Sequence, residues 1–190
     1  HKDYYSRFPA HNTVVVDGTS DYRNMRGSQA FTLNSIYPQA ENTSPETGSY
    51  TYSDVSFKEP STDAIQQRLT GTVRTSKSSG YFIDIFRSSR IDGKDKKHEY
   101  IFHGQGQPLL LKDNNGKILA AETTEELASD KGDLKGYDYF TNKKSVDFTG
   151  HFRAQFEMPS ILDKKLNVNL WMKGYDDRTI FAVQAPYSRA

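Results

Sequence analysis

Short runs of β-branched and aromatic residues alternate with polar turns along most of this chain. Thr13–Val16 is a continuous β-branched run stopped by Asp17-Gly18, which predicts a strand buried on both faces and then a turn. Gln66–Arg74 and Gly80–Arg87 predict two long strands joined by a turn. These patterns are typical of antiparallel sheets.

The second of these long strands has apolar residues on both faces. One face carries Tyr81, Ile83 and Ile85, and the other carries Phe82, Asp84 and Phe86. We therefore expect this strand to lie between two layers, with Asp84 paired to Arg68 or Arg87.

Other local signals predict a bulge, a hairpin and further strands. Tyr50 and Tyr52 share one face of a strand, while Val55 and Phe57 share the other, and this change of face predicts a bulge between them. The Asn114-Asn115-Gly116 turn between two apolar runs predicts a β-hairpin. The last third of the chain predicts further strands at Ser145–Met158, Leu166–Met172 and Thr179–Ala185.

Helical periodicity is nearly absent. Thr123–Ser129 is the one plausible helical segment, and it is too short to organise a fold. His1–Ala10 has no period and predicts a loop or a sheet edge. About eleven short strands with polar turns between them predict an all-β fold, an antiparallel β-sandwich that forms one domain over residues 1–190.

Composition excludes several classes of function. The chain has 190 residues and no apolar run long enough for a membrane span. Its 25 Lys and Arg against 24 Asp and Glu give a net charge of +1, so we expect no nucleic-acid partner. The absence of cysteine excludes thiolate zinc sites and disulfides.

Aromatic residues are abundant although the chain is hydrophilic overall. The 12 Tyr and 11 Phe stand in a chain that is only 35% hydrophobic, which suits sheets with one dry face and one wet face. Ordinary strand residues are the favoured interpretation, and a sugar-binding surface is the alternative. Trp171 lies between Leu170 and Met172, so we expect it in the core rather than on a sugar platform.

Histidines are the main candidates for chemistry. His11 lies between the rigid Pro9 and the stiff valine run, a setting either for a positioned ligand or acid/base group or for a histidine bonded to a nearby carbonyl. His98 and His103 are five residues apart on an extended chain, so we expect them on opposite faces and not at one metal. Carboxylates are scattered, and no glycosidase pair stands out.

One segment resembles a known family. The run Ala10–Gly18 resembles the segment Ala-His-Asn-Thr-Val-x-Val-Asp-Gly of the heparinase II/III-like polysaccharide lyases. Tyr81–Arg87 followed by His98–Gly104 resembles paired strands of that family in order and distance. The resemblance covers the first half of the chain, and the remainder agrees only in being rich in β-strand signals.

The resemblance implies a larger enzyme. Members of this family join an N-terminal helical toroid to a C-terminal antiparallel β-sandwich, and they cleave uronic-acid-containing polysaccharides such as heparan sulfate or alginate by β-elimination. We therefore expect this chain to be the C-terminal β-sandwich domain of a bacterial periplasmic or secreted lyase. Its partners would be an acidic polysaccharide and the toroid domain of the same protein, and the isolated chain would be inactive.

The resemblance also implies roles for particular residues. His11 would be one ligand of a zinc ion whose other ligands lie upstream, with Asn12 and Asp17 as supporting residues around it. Tyr5, Arg7 and Asn12 would contact substrate, while the main catalytic residues would lie outside this chain. A noncatalytic carbohydrate-binding or structural module is the alternative, and a β-sandwich glycosidase is a third hypothesis that would need two carboxylates in one cleft.

Overall fold

The computed structural model describes residues 2–19, 31–39, 48–59, 62–94, 97–107, 109–127, 136–161 and 164–187. Within these residues the fold is all-β, with antiparallel pairing between the registered strands. The helical elements with described bounds are short, namely α1 (Lys2–Tyr5) and the 3-10 turns Phe8–Ala10 and Tyr137–Tyr139. No helix in the described part of the chain is both long enough and apolar enough to span a membrane.

Twelve strands are described, close to the predicted number. In chain order they are β1 (Thr13–Val16), β2 (Thr32–Tyr37), β3 (Tyr50–Lys58), β4 (Ala64–Arg74), β5 (Gly80–Arg90), β6 (His98–Ile101), β7 (Leu109–Asp113), β8 (Glu122–Thr123), β9 (Thr141–Thr149), β10 (Phe152–Ile161), β11 (Lys164–Met172) and β12 (Asp177–Gln184). They form sheets in the orders β1-β6, β2-β3-β4-β5, β11-β10-β7 and β12-β9-β8.

The chain divides into two compact units. The first, here called the sandwich unit, contains the described residues of segments 1–13, 100–130 and 134–190. The second, the sheet unit, contains those of segment 14–99.

The sandwich unit is built from two three-stranded sheets packed face to face. Alternate residues of β10 and β7 turn inward from one sheet, and Ile180 of β12 meets them from the other. The buried members of this core are Leu111, Phe152, Ala154, Phe156 and Ile180. An antiparallel β-sandwich was predicted, and this unit confirms it.

The sheet unit contains the four-stranded sheet β2-β3-β4-β5. Arg68 pairs with Asp84 across β4 and β5 through two hydrogen bonds of 2.9 and 2.7 Å, which confirms one of the two predicted partners. The expectation that β5 lies between two layers is wrong, because Phe82 is 87% exposed on one face and Tyr81 is exposed on the other.

The predicted bulge in β3 is also wrong. The pairing of β3 with β4 runs without a shift from Tyr50 to Lys58, so the aromatic pair and the later apolar pair simply occupy opposite faces of a regular strand. The irregularity lies in β2, between Leu33 and Ser35.

Of the other local predictions, the hairpin and the buried strand β1 are confirmed, and one long strand is not. The hairpin is confirmed, with Gly116 at φ +84° in the turn and Lys112 opposite Ile118. The valines of β1 are buried as predicted. The predicted strand Ser145–Met158 is instead two strands, because Gly150 takes φ +121° between β9 and β10.

Helix was predicted in the wrong place. Residues 124–127 form no helix, and the Thr124 hydroxyl accepts a hydrogen bond from the Glu126 N–H instead, while residues 128 and 129 lie outside the described part of the chain. The N-terminal stretch expected to be a loop or an edge contains α1 and a 3-10 turn.

Candidate functional site

The segment that carries the family resemblance begins as a compact double turn. The Arg7 N–H donates to the Tyr4 carbonyl at 2.9 Å, and the His11 N–H donates to the Phe8 carbonyl at 3.0 Å. Pro9 lies in the first turn of the 3-10 helix, where its fixed φ suits the turn and its missing N–H costs nothing. This local geometry sets the direction in which His11 leaves the turn.

Tyr4 anchors this turn in the sandwich unit. Its side chain is 1% exposed, and its ring lies 5.7 Å from that of Tyr139 and 6.0 Å from that of Phe140. Its hydroxyl donates to the Pro9 carbonyl at 3.3 Å. Burial, with a smaller effect of the neighbouring Tyr5, raises the pKa of Tyr4 to about 12. Tyr4 is therefore a neutral structural residue at physiological pH.

His103 ties the turn to the loop after β6. Its Nε2 lies 2.7 Å from the Pro9 carbonyl oxygen, which also accepts the Tyr4 hydroxyl. Its backbone N–H donates to Oδ1 of Asn12 at 2.5 Å. These two bonds fix both the turn and the orientation of the Asn12 amide.

His11 is exposed and bonded to a carbonyl within its own segment. Its Nε2 lies 3.1 Å from the Tyr5 carbonyl oxygen. Because a carbonyl can only accept, Nε2 carries the proton, and in the neutral ring Nδ1 carries the lone pair. Both interpretations of His11 describe this arrangement, since a ligand histidine also donates its second nitrogen to a carbonyl.

The predicted zinc site is not assembled by these residues alone. No group of three or more His, Asp or Glu side chains stands together in the ranges that the structure describes. His11 supplies one nitrogen with suitable chemistry, which is too few ligands for zinc. The zinc ion therefore stays a prediction, and no step of the chemistry is derived through it.

The three predicted substrate contacts lie on the same short segment as His11. Tyr5 is exposed, and its hydroxyl donates to the Pro186 carbonyl at 3.5 Å. Arg7 is half-buried, and a Cβ built on Gly136 would lie only 2.9 Å from the Arg7 Cβ. Asn12 is exposed and held by His103.

Asp17 performs a structural role within the sheet unit. Its carboxylate accepts the Lys97 N–H at 3.0 Å and pairs with Arg90 at 3.4 Å. Arg90 also donates a hydrogen bond to Asp92, and this bond raises the pKa of Arg90. The backbone N–H of Lys94 donates to Asp92 and lowers the pKa of that carboxyl. The carboxylate of Asp17 is thus engaged in fixing the turns after β1 and β5.

His103 is the residue of this site that the sequence did not reveal. The spacing between His98 and His103 gives their relative direction only if both lie on one extended strand. In the structure β6 ends at Ile101, and His103 lies in the loop that follows. Its bonds to Pro9 and Asn12 join positions more than ninety residues apart, and no local pattern reports such a contact.

Comparison with known proteins gives one informative match. No family model matches this chain, and no solved structure matches it. The chain is 30% identical over 157 residues to an endo-acting ulvan lyase of Formosa agariphila. The match covers 77% of this chain and 19% of the relative, so the chain spans about a fifth of that protein. The similarity supports a relationship to the polysaccharide lyases as a broad group, without distinguishing the heparinase II/III-like family within it.

Proposed function

We propose that this chain is the C-terminal β-domain of a polysaccharide lyase that cleaves a uronic-acid-containing polysaccharide by β-elimination. The observation that carries the proposal is the 30% identity to an ulvan lyase over 157 residues. The resemblance of Ala10–Gly18 to the heparinase II/III-like motif and the all-β fold support it. The proposal includes a bacterial periplasmic or secreted location and an N-terminal helical toroid domain as partner.

The chemistry of elimination suggests a role for each polar residue on the segment around His11. The proton at C5 of a uronate is hard to remove until the neighbouring carboxylate is neutralised, after which a tyrosine can act as base and then acid. Arg7 offers a guanidinium, and Asn12 offers an amide whose orientation His103 fixes. In this proposal these residues bind and orient the carboxylate, Tyr5 contacts the sugar, and the proton-transfer groups come from the helical domain.

The test is an ultraviolet assay for unsaturated uronide with ulvan, heparan sulfate and alginate. We expect elimination on at least one of them from a protein that contains this chain together with the proposed helical domain, and none from the 190-residue chain alone. Absence of elimination from the longer protein on every uronate polysaccharide would contradict the lyase assignment. Activity of the chain alone would contradict the proposed division of catalytic groups.

A further inference from the structure

The single tryptophan of the chain lies on the outer surface of the sandwich unit. Trp171 of β11 pairs in register with Arg153 of β10, and Arg153 pairs with Lys112 of β7. The neighbours Phe152 and Ala154 point into the core, so these three residues form a row on the opposite face. Trp171 is 64% exposed, which makes the expectation of a core position wrong.

A cation stacks on the tryptophan ring. The guanidinium carbon of Arg153 lies 4.9 Å from the Trp171 ring centroid, within the range of a cation–π interaction. This contact holds a large aromatic ring in place at the surface and sets a positive charge beside it. Lys112 adds a second cation to the same row.

Hydrogen-bonding groups occupy the next row of the same face. Gln155 pairs with Asn169 on one side and with Leu110 on the other. The ammonium of Lys112 donates to Oε1 of Gln155 at 3.0 Å, which connects the two rows. Glu157, a carboxylate on this face, lies one row further from Trp171. The region around the tryptophan is therefore aromatic, amide-rich and positively charged.

A second exposed aromatic ring is fixed at the end of the same strand pair. The Gly174 N–H donates to Nδ1 of His151 at 3.1 Å, so the proton of the neutral ring lies on Nε2, which donates to the Tyr175 hydroxyl at 3.2 Å. The two rings also lie 4.6 Å apart, between centroids. Tyr175 is 80% exposed although its hydroxyl is held.

We propose that this surface, the Trp171 face (Lys112, Arg153, Gln155 and Trp171), is a binding site for an acidic polysaccharide, with Tyr175 at the end of the same strand pair as a further proposed contact. Flat aromatic rings present apolar area to the C–H face of a pyranose, amides bond its hydroxyls, and Arg153 and Lys112 pair with its carboxylate or sulfate groups. The net charge of the chain is only +1, so this local pair of cations supplies the complementarity that the whole molecule lacks. The substrate class rests on the proposed function, and the site is separate in sequence from the His11 segment.

The experiment measures binding of the 190-residue chain to ulvan, heparan sulfate and alginate by affinity electrophoresis and calorimetry, with neutral dextran as a control polysaccharide. We expect Trp171→Ala to weaken binding to the preferred acidic polysaccharide about tenfold, a loss of about 1.4 kcal/mol. Arg153→Gln should weaken binding and reduce its dependence on salt, because one charge pair is removed. Phe82→Ala, at an exposed aromatic residue of the sheet unit, should bind like the wild type.

Thermal unfolding of each variant checks that the fold is retained. Wild-type affinity in folded Trp171→Ala, an equal loss in Phe82→Ala, or failure of the wild type to bind any acidic polysaccharide would overturn the proposal. Elimination by the longer protein without binding at this face would overturn this inference alone. Binding at this face without elimination would instead uphold the face as part of a noncatalytic module and contradict the proposed lyase function.

Discussion

At the scale of single residues, Tyr4 gives the clearest consequence of burial. Burial raises the pKa of Tyr4 to about 12, above the ordinary value of about 10. The folded state therefore holds the phenol proton more tightly than the unfolded state does. The resulting stabilisation is fully present below about pH 10 and is lost as the pH rises towards 12.

We predict that the free energy of unfolding falls by about 2 kcal/mol between pH 10 and pH 12 through this group. Urea unfolding at a series of alkaline pH values measures it, as the difference between the wild type and Tyr4→Phe. Tyr81→Phe, at an exposed tyrosine, serves as the control and should keep the wild-type profile. Identical profiles for wild type and Tyr4→Phe would contradict the account of Tyr4.

His11 gives a prediction about function rather than stability. Because His11 is exposed and makes one bond to the Tyr5 carbonyl, His11→Ala should cost no more than about 1 kcal/mol of stability. In the longer protein it should lower the rate of elimination about 100-fold, because His11 lies on the segment proposed to bind and neutralise the substrate carboxylate. His98→Ala, at another exposed histidine, is the matched control. Equal rates of elimination in the two variants would contradict a role for His11 in the site.

At the scale of elements, Gly136 permits the close approach that positions the N-terminal turn. It has φ +100°, and a Cβ built there would lie 2.9 Å from the Arg7 Cβ and 3.2 Å from the Pro9 Cγ. Both the backbone conformation and the contact disfavour any side chain.

We predict that Gly136→Ala destabilises the chain by about 2 to 4 kcal/mol, which combines backbone strain with the steric overlap. Gly116→Ala separates the two effects, because Gly116 has φ +84° but nothing within 4 Å of its Cβ position. Chemical unfolding of both variants measures the difference. Gly136→Ala should cost clearly more, and equal costs would show that the contact with the turn is unimportant.

The elements that were predicted correctly are those whose sequence signal acts over a few neighbouring residues. The hairpin at Asn115-Gly116 and the buried strand β1 were predicted because a turn dipeptide and a β-branched run act locally. Trp171 was placed wrongly because its apolar neighbours were weighed without the alternation of the strand. Leu170 and Met172 share the core face, so the residue between them has to face outward.

Contacts between distant segments were beyond the reach of local patterns. The bonds of His103 to Pro9 and Asn12 depend on where the loop after β6 lies, which is decided by the tertiary fold. The order of the strands in the sheets has the same origin. The motif at Ala10–Gly18 predicted a candidate site, while the residues that contact this segment from distant parts of the chain came from the structure.

At the scale of the whole molecule, the central proposal is that the chain is one domain of a larger lyase. It spans 19% of the ulvan lyase that it resembles, and its described residues assemble no complete zinc site. The sandwich unit contributes an anchored segment that carries Arg7, His11 and Asn12, together with the exposed Trp171 face. We therefore propose that this chain binds the carboxylate of the substrate and that the helical domain transfers the proton.

The most direct test of this account is to follow the fate of oxygen during cleavage. Elimination breaks the glycosidic bond without adding water, whereas hydrolysis adds one oxygen from water to the products. The longer protein would be incubated with its preferred polysaccharide in heavy-oxygen water, and the products analysed by mass spectrometry. The account predicts unlabelled, unsaturated uronide ends, and incorporation of one heavy oxygen per cleavage into saturated products would contradict it.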